Sequence, residues 1–456
     1  MENNFNDTYQ NYSEQTIEAP QSAAPLQPAP EEKKLSRGRI LTGGIIIGFL
    51  AGVIAAGGVF AFGMIRANAT EGTGTESHLN EAGDLAGSLL SSYRFGNSGN
   101  RESAINAESE AKLMLLEQFI DQYYYDEVSI ETKQDGMYKG LVASLDDVYS
   151  EYYNVEEMKE LTEELTGTYC GIGAYVSEEK DSEYCAISGI IKGTPAEAAG
   201  LISGDIIYEV DGENMRGMEL HEVVKRIKGE EGTVVHITFI RNGENLEVDL
   251  TRAMIDAPSV SSEMLDDGIG YLQITGFDEI TTGQFETEFS ALKEAGMKAM
   301  ILDLRDNPGG SVSTVTAIAE YFLPEGLIFY QQDKYDKITE YKCKGTDFGI
   351  PLVVLVNEYS ASASEILSGA IKDAGIGTLV GTTTYGKGVV QTMFSLRDGS
   401  GLKVTVADYY TRNGNNINKI GIEPDVECEL DTDLYLEEGV DTQLEKAKEI
   451  ILEKLQ

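Results

Sequence analysis

The chain has 456 residues, room for two to four domains at roughly 100–200 residues each. Its 77 acidic and 35 basic residues leave a formal charge of -42. That charge excludes nucleic-acid binding through a basic face and reads as a solvated acidic surface. The four cysteines, Cys170, Cys185, Cys343 and Cys428, match no zinc spacing and no CxxC pair, and a Cys170–Cys185 bridge stays open beside unpaired thiols.

Residues 1–39 are polar and lack apolar periodicity, which predicts a disordered cytoplasmic tail. The tail ends in Lys33-Lys34-Leu35-Ser36-Arg37-Gly38-Arg39. From Ile40 to Ile65 no charged residue occurs, a longer run than the roughly 20 residues that span a bilayer core. The run predicts a single transmembrane helix over 40–65. The basic flank sets the N-terminus in the cytoplasm and the rest of the chain outside it. A cleaved signal peptide ending at Ala67-Asn68-Ala69 is the competing reading, but the long lead and long apolar run favour an uncleaved anchor.

Residues 66–109, rich in Gly, Ser, Asn and Glu, read as a flexible spacer. Over 110–166 the pattern turns helical: Leu113, Leu116, Phe119, Ile120 and Tyr123 recur at three- and four-residue steps. Met137, Leu141 and Leu145 follow, then a third helix over Val155–Leu165, predicting a small helical domain. Over 167–254 short β-branched runs are separated by turns such as Asp211-Gly212 and Asn242-Gly243, which predicts a compact β-rich domain. Residues 255–432 alternate strand and helix: strands Gly268–Ile274, Ala299–Leu304 and Pro351–Val356, helices Thr282–Ala295, Thr314–Phe322 and Ala361–Ala374. That alternation predicts an α/β sandwich. An acidic amphipathic helix over 433–456 closes the chain.

The chemistry is first limited by inventory. Only three histidines exist, His78, His221 and His236, and none follows residue 236. A Ser–His–Asp triad within the α/β domain is therefore excluded, and HExxH and GxSxG are both absent. Serine with lysine remains. The apolar strand ending at Val356 runs into Ser360-Ala361-Ser362-Ala363-Ser364-Glu365, where a helix opens and its free N–H groups can stabilise an oxyanion. Further on, Tyr385-Gly386-Lys387-Gly388-Val389-Val390-Gln391 sets a lysine between two glycines. Burial would lower its pKa toward a working range. Taken alone, a serine at a helix start is commonly just a cap, and a lysine in a glycine loop is commonly solvated.

These stretches, together with Leu302-Asp303-Leu304-Arg305-Asp306-Asn307-Pro308-Gly309-Gly310 and Gly421-Ile422-Glu423-Pro424-Asp425-Val426, resemble the carboxyl-terminal processing (tail-specific) serine peptidases. The resemblance runs over about residues 110–430 and keeps the family's motif order. It implies Ser362 as nucleophile, Lys387 as general base and Gln391 as the residue that positions the lysine. It implies an oxyanion hole from the backbone N–H of Ala363 and of a glycine, Gly310 ahead of Gly309. Ser360 and Ser364 fall outside the match and are expected to be structural.

The β-rich domain resembles the PDZ module of these peptidases. Gly171-Ile172-Gly173-Ala174 sits where the carboxylate-binding loop belongs, and a bound tail would add a strand beside Ala174–Val176. Two departures stand out. Val148 in Asp146-Asp147-Val148-Tyr149-Ser150 replaces a frequent proline. Lys228-Gly229 replaces a frequent Arg-Gly. If an arginine there relays peptide binding, a lysine, lacking the bidentate fork, weakens the relay.

The expected protein has an α/β fold class: one N-terminal transmembrane helix, a small helical domain, a PDZ-like domain and an α/β sandwich Ser/Lys peptidase core. It is expected at the cell membrane as a single-pass endopeptidase with its catalytic region extracytoplasmic. Its expected partners are protein or peptide substrates with free C-termini and the membrane, not nucleic acid, with a homodimer left open. No metal or organic cofactor is implied. The alternative is a non-catalytic PDZ adaptor that keeps the fold; the intact serine, lysine and glutamine argue against it.

Overall fold

A computed structural model describes residues 103–179 and 182–456. The tail over 1–39, the helix expected over 40–65 and all but the end of the spacer over 66–109 lie outside the described residues. Among the described residues no helix is long and apolar enough to cross a membrane. The longest, of 17 residues, carries Glu110, Glu117 and Asp121, too short and too charged for a bilayer. The expected fold class is corrected accordingly: it is a mixed α/β core with a PDZ-like domain and no membrane span among the described elements.

Two helices come first, α1 (Ala107–Tyr123) and α2 (Ile130–Ala143). Asn106 and Ser129 cap them by accepting the first free N–H groups. The apolar spacing that predicts α1 does form a helix, yet neither helix buries a residue. The strand β1 (Glu151–Tyr153) leads into α3 (Val155–Thr166), where Asn154 and Glu157 cap each other reciprocally.

The β-rich segment contains β2 (Thr168–Gly171), β3 (Ala174–Glu178), β4 (Cys185–Ile190), a short α4 (Pro195–Ala198), β5 (Ile206–Val210), β6 (Glu213–Asn214), α5 (Leu220–Ile227), β7 (Val234–Arg241), β8 (Glu244–Thr251) and β9 (Ala253–Asp256). Its sheet runs β3-β4-β5-β7-β8, with β6 beside β5. Asn242 and Gly243, both at positive φ, turn β7 into β8 as a two-residue hairpin. Ile187, Ile207, Val223, Val235, Ile237 and Phe239 fill its core. The strands β2 and β9 pair apart from this sheet.

The α/β core contains β10 (Val260–Met264), β11 (Ile269–Ile274), α6 (Thr281–Glu294), β12 (Ala299–Asp303), α7 (Val312–Ala319), β13 (Gly326–Asp333), β14 (Ile338–Cys343), β15 (Leu352–Val356), α8 (Ala363–Ala374), β16 (Thr378–Gly381), β17 (Val389–Ser395), β18 (Gly401–Thr411) and β19 (Val426–Glu427), followed by α9 (Thr432–Glu438) and α10 (Thr442–Leu455). One sheet runs β10-β11-β12-β15-β16-β19 and is parallel from β11 onward. Every residue of β12 and β15 is buried, as a parallel sheet covered on both faces requires. On one face Leu302 and Val354 pack with Phe285, Val315 and Leu367 of the helices α6, α7 and α8. On the other, Ile301 and Val353 pack with Ala447 and Ile451 of α10. A second, antiparallel sheet, β1-β18-β13-β14 with β17 on β18, goes beyond the expected strand–helix alternation.

Candidate active site

The buried strand β15 delivers the chain to a turn and then to α8, whose N-cap is Ser362. Ser362 adopts φ 61° and ψ -112°, a conformation that costs a non-glycine residue about 1–3 kcal/mol and persists only where surroundings enforce it. The enforcement is visible on both sides. The Ser360 hydroxyl donates to the Leu304 carbonyl at 2.7 Å, and the Ser364 hydroxyl donates to the Asn307 carbonyl at 2.9 Å. Both flanking serines thus stitch the turn to the loop after β12. The Ser362 hydroxyl is equally buried and has no hydrogen-bond partner among the described residues.

The same turn is tied to the lysine loop by Glu365. Its Oε2 accepts the main-chain N–H of Ser362 at 2.8 Å and of Lys387 at 2.9 Å. Its Oε1 accepts the Gly386 N–H at 2.7 Å and the Thr384 hydroxyl at 2.6 Å. Burial pushes this carboxyl up from the usual carboxylate range, against the pull of its four donors. Sequence reasoning assigned Glu365 no role. The signal was there: Ser362 with Glu365 three residues on has the spacing of a capping box.

The glycines around Lys387 answer a close approach. A Cβ on Gly386 would lie 2.8 Å from the Gly421 nitrogen, and one on Gly388 would lie 2.5 Å from the Asn418 nitrogen. The loop is clasped there by Lys419 N–H to Gly386 O at 2.7 Å and Ile422 N–H to the Thr384 hydroxyl at 2.7 Å. The Lys387 side chain is 1% exposed. Burial, reinforced by the positive charge of Lys403, brings its pKa down to about 7, against the opposing pull of Glu365 and Asp147. Lys403 itself is buried on β18 and hydrogen-bonded to the Tyr153 hydroxyl.

Gln391 is buried on β17. Its Nε2 donates to the Thr405 hydroxyl at 3.0 Å, and its Oε1 has no hydrogen-bond partner among the described residues. This oxygen makes no hydrogen bond to Lys387. Gly309 and Gly310 take φ values of 109° and 141°, and a Cβ on Gly309 would lie 2.8 Å from Ser362 Cβ and 3.0 Å from the Ala363 nitrogen. The Gly309 N–H is taken by the Asn307 side chain at 2.9 Å. Those of Gly310 and Ala363 are taken by no group among the described residues.

In the PDZ-like domain, β3 is an edge strand of its sheet and α5 packs beside it. The Ile172 carbonyl accepts the Ala196 N–H, and the Gly173 carbonyl accepts the Ile191 N–H and the Thr194 hydroxyl. This fixes the Gly171–Ala174 loop from behind. Gly173 takes φ 80°, and a Cβ there would meet Thr194 at 2.3 Å. Lys228, at the end of α5, pairs with Glu163 of α3 at 2.9 Å and lies over the Tyr169 ring. All four cysteines are free thiols, so Cys170 and Cys185 are not bridged.

A family model described as "Peptidase family S41" matches residues 268–428, and one described as "PDZ domain" matches residues 187–241. Over 352 residues the chain is 38% identical to the carboxy-terminal processing protease CtpA of Bacillus subtilis (strain 168), covering 76% of this chain and 75% of that relative. Over 334 residues it is 34% identical to a probable CtpA-like serine protease of Staphylococcus epidermidis, covering 72% of this chain and 67% of the relative. Among solved structures, the photosystem II D1 C-terminal processing protease aligns at 28% identity and a TM-score of 0.43, over 80% of this chain and 96% of that one. On the strength of the curated relatives and both family matches, the chain belongs to the S41 family of serine peptidases, among its carboxy-terminal processing proteases, and carries a PDZ domain ahead of the catalytic core.

Proposed function

We propose that the protein is an endopeptidase in which Lys387 acts as general base for Ser362, and that its PDZ domain captures the C-terminal tails of protein substrates. One observation carries the reading: the strained serine and the buried lysine are held through their main chains by the same Glu365 oxygen. A lysine near pKa 7 is neutral in a useful fraction at neutral pH and can take a proton.

The neutral Lys387 amine removes the Ser362 hydroxyl proton as the oxygen attacks a peptide carbonyl. The Gly310 and Ala363 N–H groups stabilise the resulting oxyanion. Collapse breaks the C–N bond, and the Lys387 ammonium returns the proton to the leaving amine. Water, deprotonated by the same amine, then hydrolyses the acyl-enzyme. The substrate tail would seat its carboxylate on the Gly171–Ala174 loop and add a strand to β3.

The test is cleavage of an unstructured protein by the full chain. Ser362→Ala and Lys387→Ala should each abolish cleavage, while Ser362→Ala should still bind a C-terminal peptide. Full activity in either variant would end the Ser/Lys assignment.

A further inference from the structure

We infer that Tyr149 is a positioning residue for the peptidase reaction, its ring forming a dry cover over the Lys387 amine. The Lys387 Nζ lies 4.5 Å from the centroid of the Tyr149 ring. Tyr149 belongs to the loop between α2 and β1, outside both the Ser362 turn and the Gly386–Gly388 loop. Two anchors hold it. The Ser150 hydroxyl beside it accepts the Thr405 N–H at 3.1 Å. Next to that, β1 pairs with β18 in the register Glu151 to Lys403. Thr405 is also the residue whose hydroxyl holds Gln391. One strand therefore fixes the ring above the lysine and the amide of the expected positioning glutamine together.

Two effects of an aromatic cover oppose each other. A ring face attracts an ammonium, worth about 1.5 pKa units toward the charged form at a desolvated site. Excluding water disfavours the charged form by up to about 3–5 pKa units when burial is complete. Burial is the largest cause of the lowered Lys387 pKa, so at this amine the exclusion of water, to which the ring contributes one face, outweighs the ring's attraction. The charged groups that bear on Lys387 are Lys403 on β18, Glu365 on α8 and Asp147 on the Tyr149 loop, while Tyr385, beside the lysine loop, bears on Tyr149. Burial raises the Tyr149 phenol far above the working range, so the ring is uncharged throughout.

The inference rests on Lys387 as base, and the experiment separates the two. In the full chain, kcat/KM for a peptide substrate is measured against pH for wild type, Tyr149→Phe, Tyr149→Gln and Tyr149→Ala, with Lys387→Ala in parallel. Tyr149→Phe keeps the ring and should keep the wild-type profile. In Tyr149→Gln and Tyr149→Ala the acid limb should move up by about one pH unit, a roughly tenfold loss on that limb that is regained at alkaline pH, with KM little changed. Either variant suffices if the other does not fold. A wild-type acid limb and rate in a folded Gln or Ala variant, with Lys387→Ala inactive, overturns the role of Tyr149. An active Lys387→Ala instead overturns the base assignment, and the inference with it.

Discussion

The main-chain N–H groups of Ser362 and Lys387 donate to one and the same oxygen, Oε2 of Glu365, at 2.8 and 2.9 Å. The Ser362 turn and the Lys387 loop are thereby tied together by a third residue. Glu365→Gln replaces one accepting oxygen by an NH2 group that faces two donors. A loss of activity of at least about 100-fold is expected, with destabilisation of about 1–3 kcal/mol from the orphaned donors. Steady-state cleavage and urea unfolding of the variant check this.

Lys387 also makes a prediction about stability against pH. Its folded pKa, about 7, lies below its ordinary 10.5. Between those values the unfolded chain binds more protons than the folded one, so stability rises with pH across the window. Below about pH 7 the cost of the buried charge is fully present. Lys387→Met should therefore be inactive yet more stable at pH 7, by about 1–4 kcal/mol, with the gain vanishing toward pH 10.5. Urea midpoints at three pH values decide it; a variant less stable at neutral pH contradicts the sign.

Ser362 stores backbone strain at φ 61°. Both Ser362→Ala and Ser362→Gly remove the hydroxyl, but only glycine relaxes the backbone. The glycine variant should exceed the alanine variant in unfolding free energy by about 1 kcal/mol, with both inactive. Equal stabilities would mean the turn carries no strain.

The PDZ loop offers a separate handle. Gly173→Ala places a methyl group 2.3 Å from Thr194 at a φ that alanine resists. Tail-peptide binding should fall at least about tenfold, measured by fluorescence anisotropy on the Ser362→Ala protein. Cleavage of short peptides that do not reach the loop is expected to change much less.

Much of the core was legible because its signals are local. The buried runs of β12 and β15 are continuous apolar stretches, and the Asn242-Gly243 hairpin has turn chemistry of its own. The antiparallel second sheet was not read, since β17 and β18 carry mixed residues whose partner β1 lies about 250 positions away along the chain. Site residues fell into the same two classes. Ser362 and Lys387 stand in recognisable motifs, whereas the contact of Tyr149 with Lys387 and the burial of Lys403 exist only through long-range pairing. The exposed apolar rows on α1 and α2 show the converse: a helical period predicts the helix but not what covers it.

The short ladder between β2 and β9 brings the two ends of the PDZ segment side by side, with the Ala257 N–H on the Gly167 carbonyl at 2.8 Å. Entry and exit share one doorway, so the segment between them is a self-contained insertion in the chain path. Splicing it out across that doorway, or swapping in a relative's module, leaves both sheets of the catalytic body uncut.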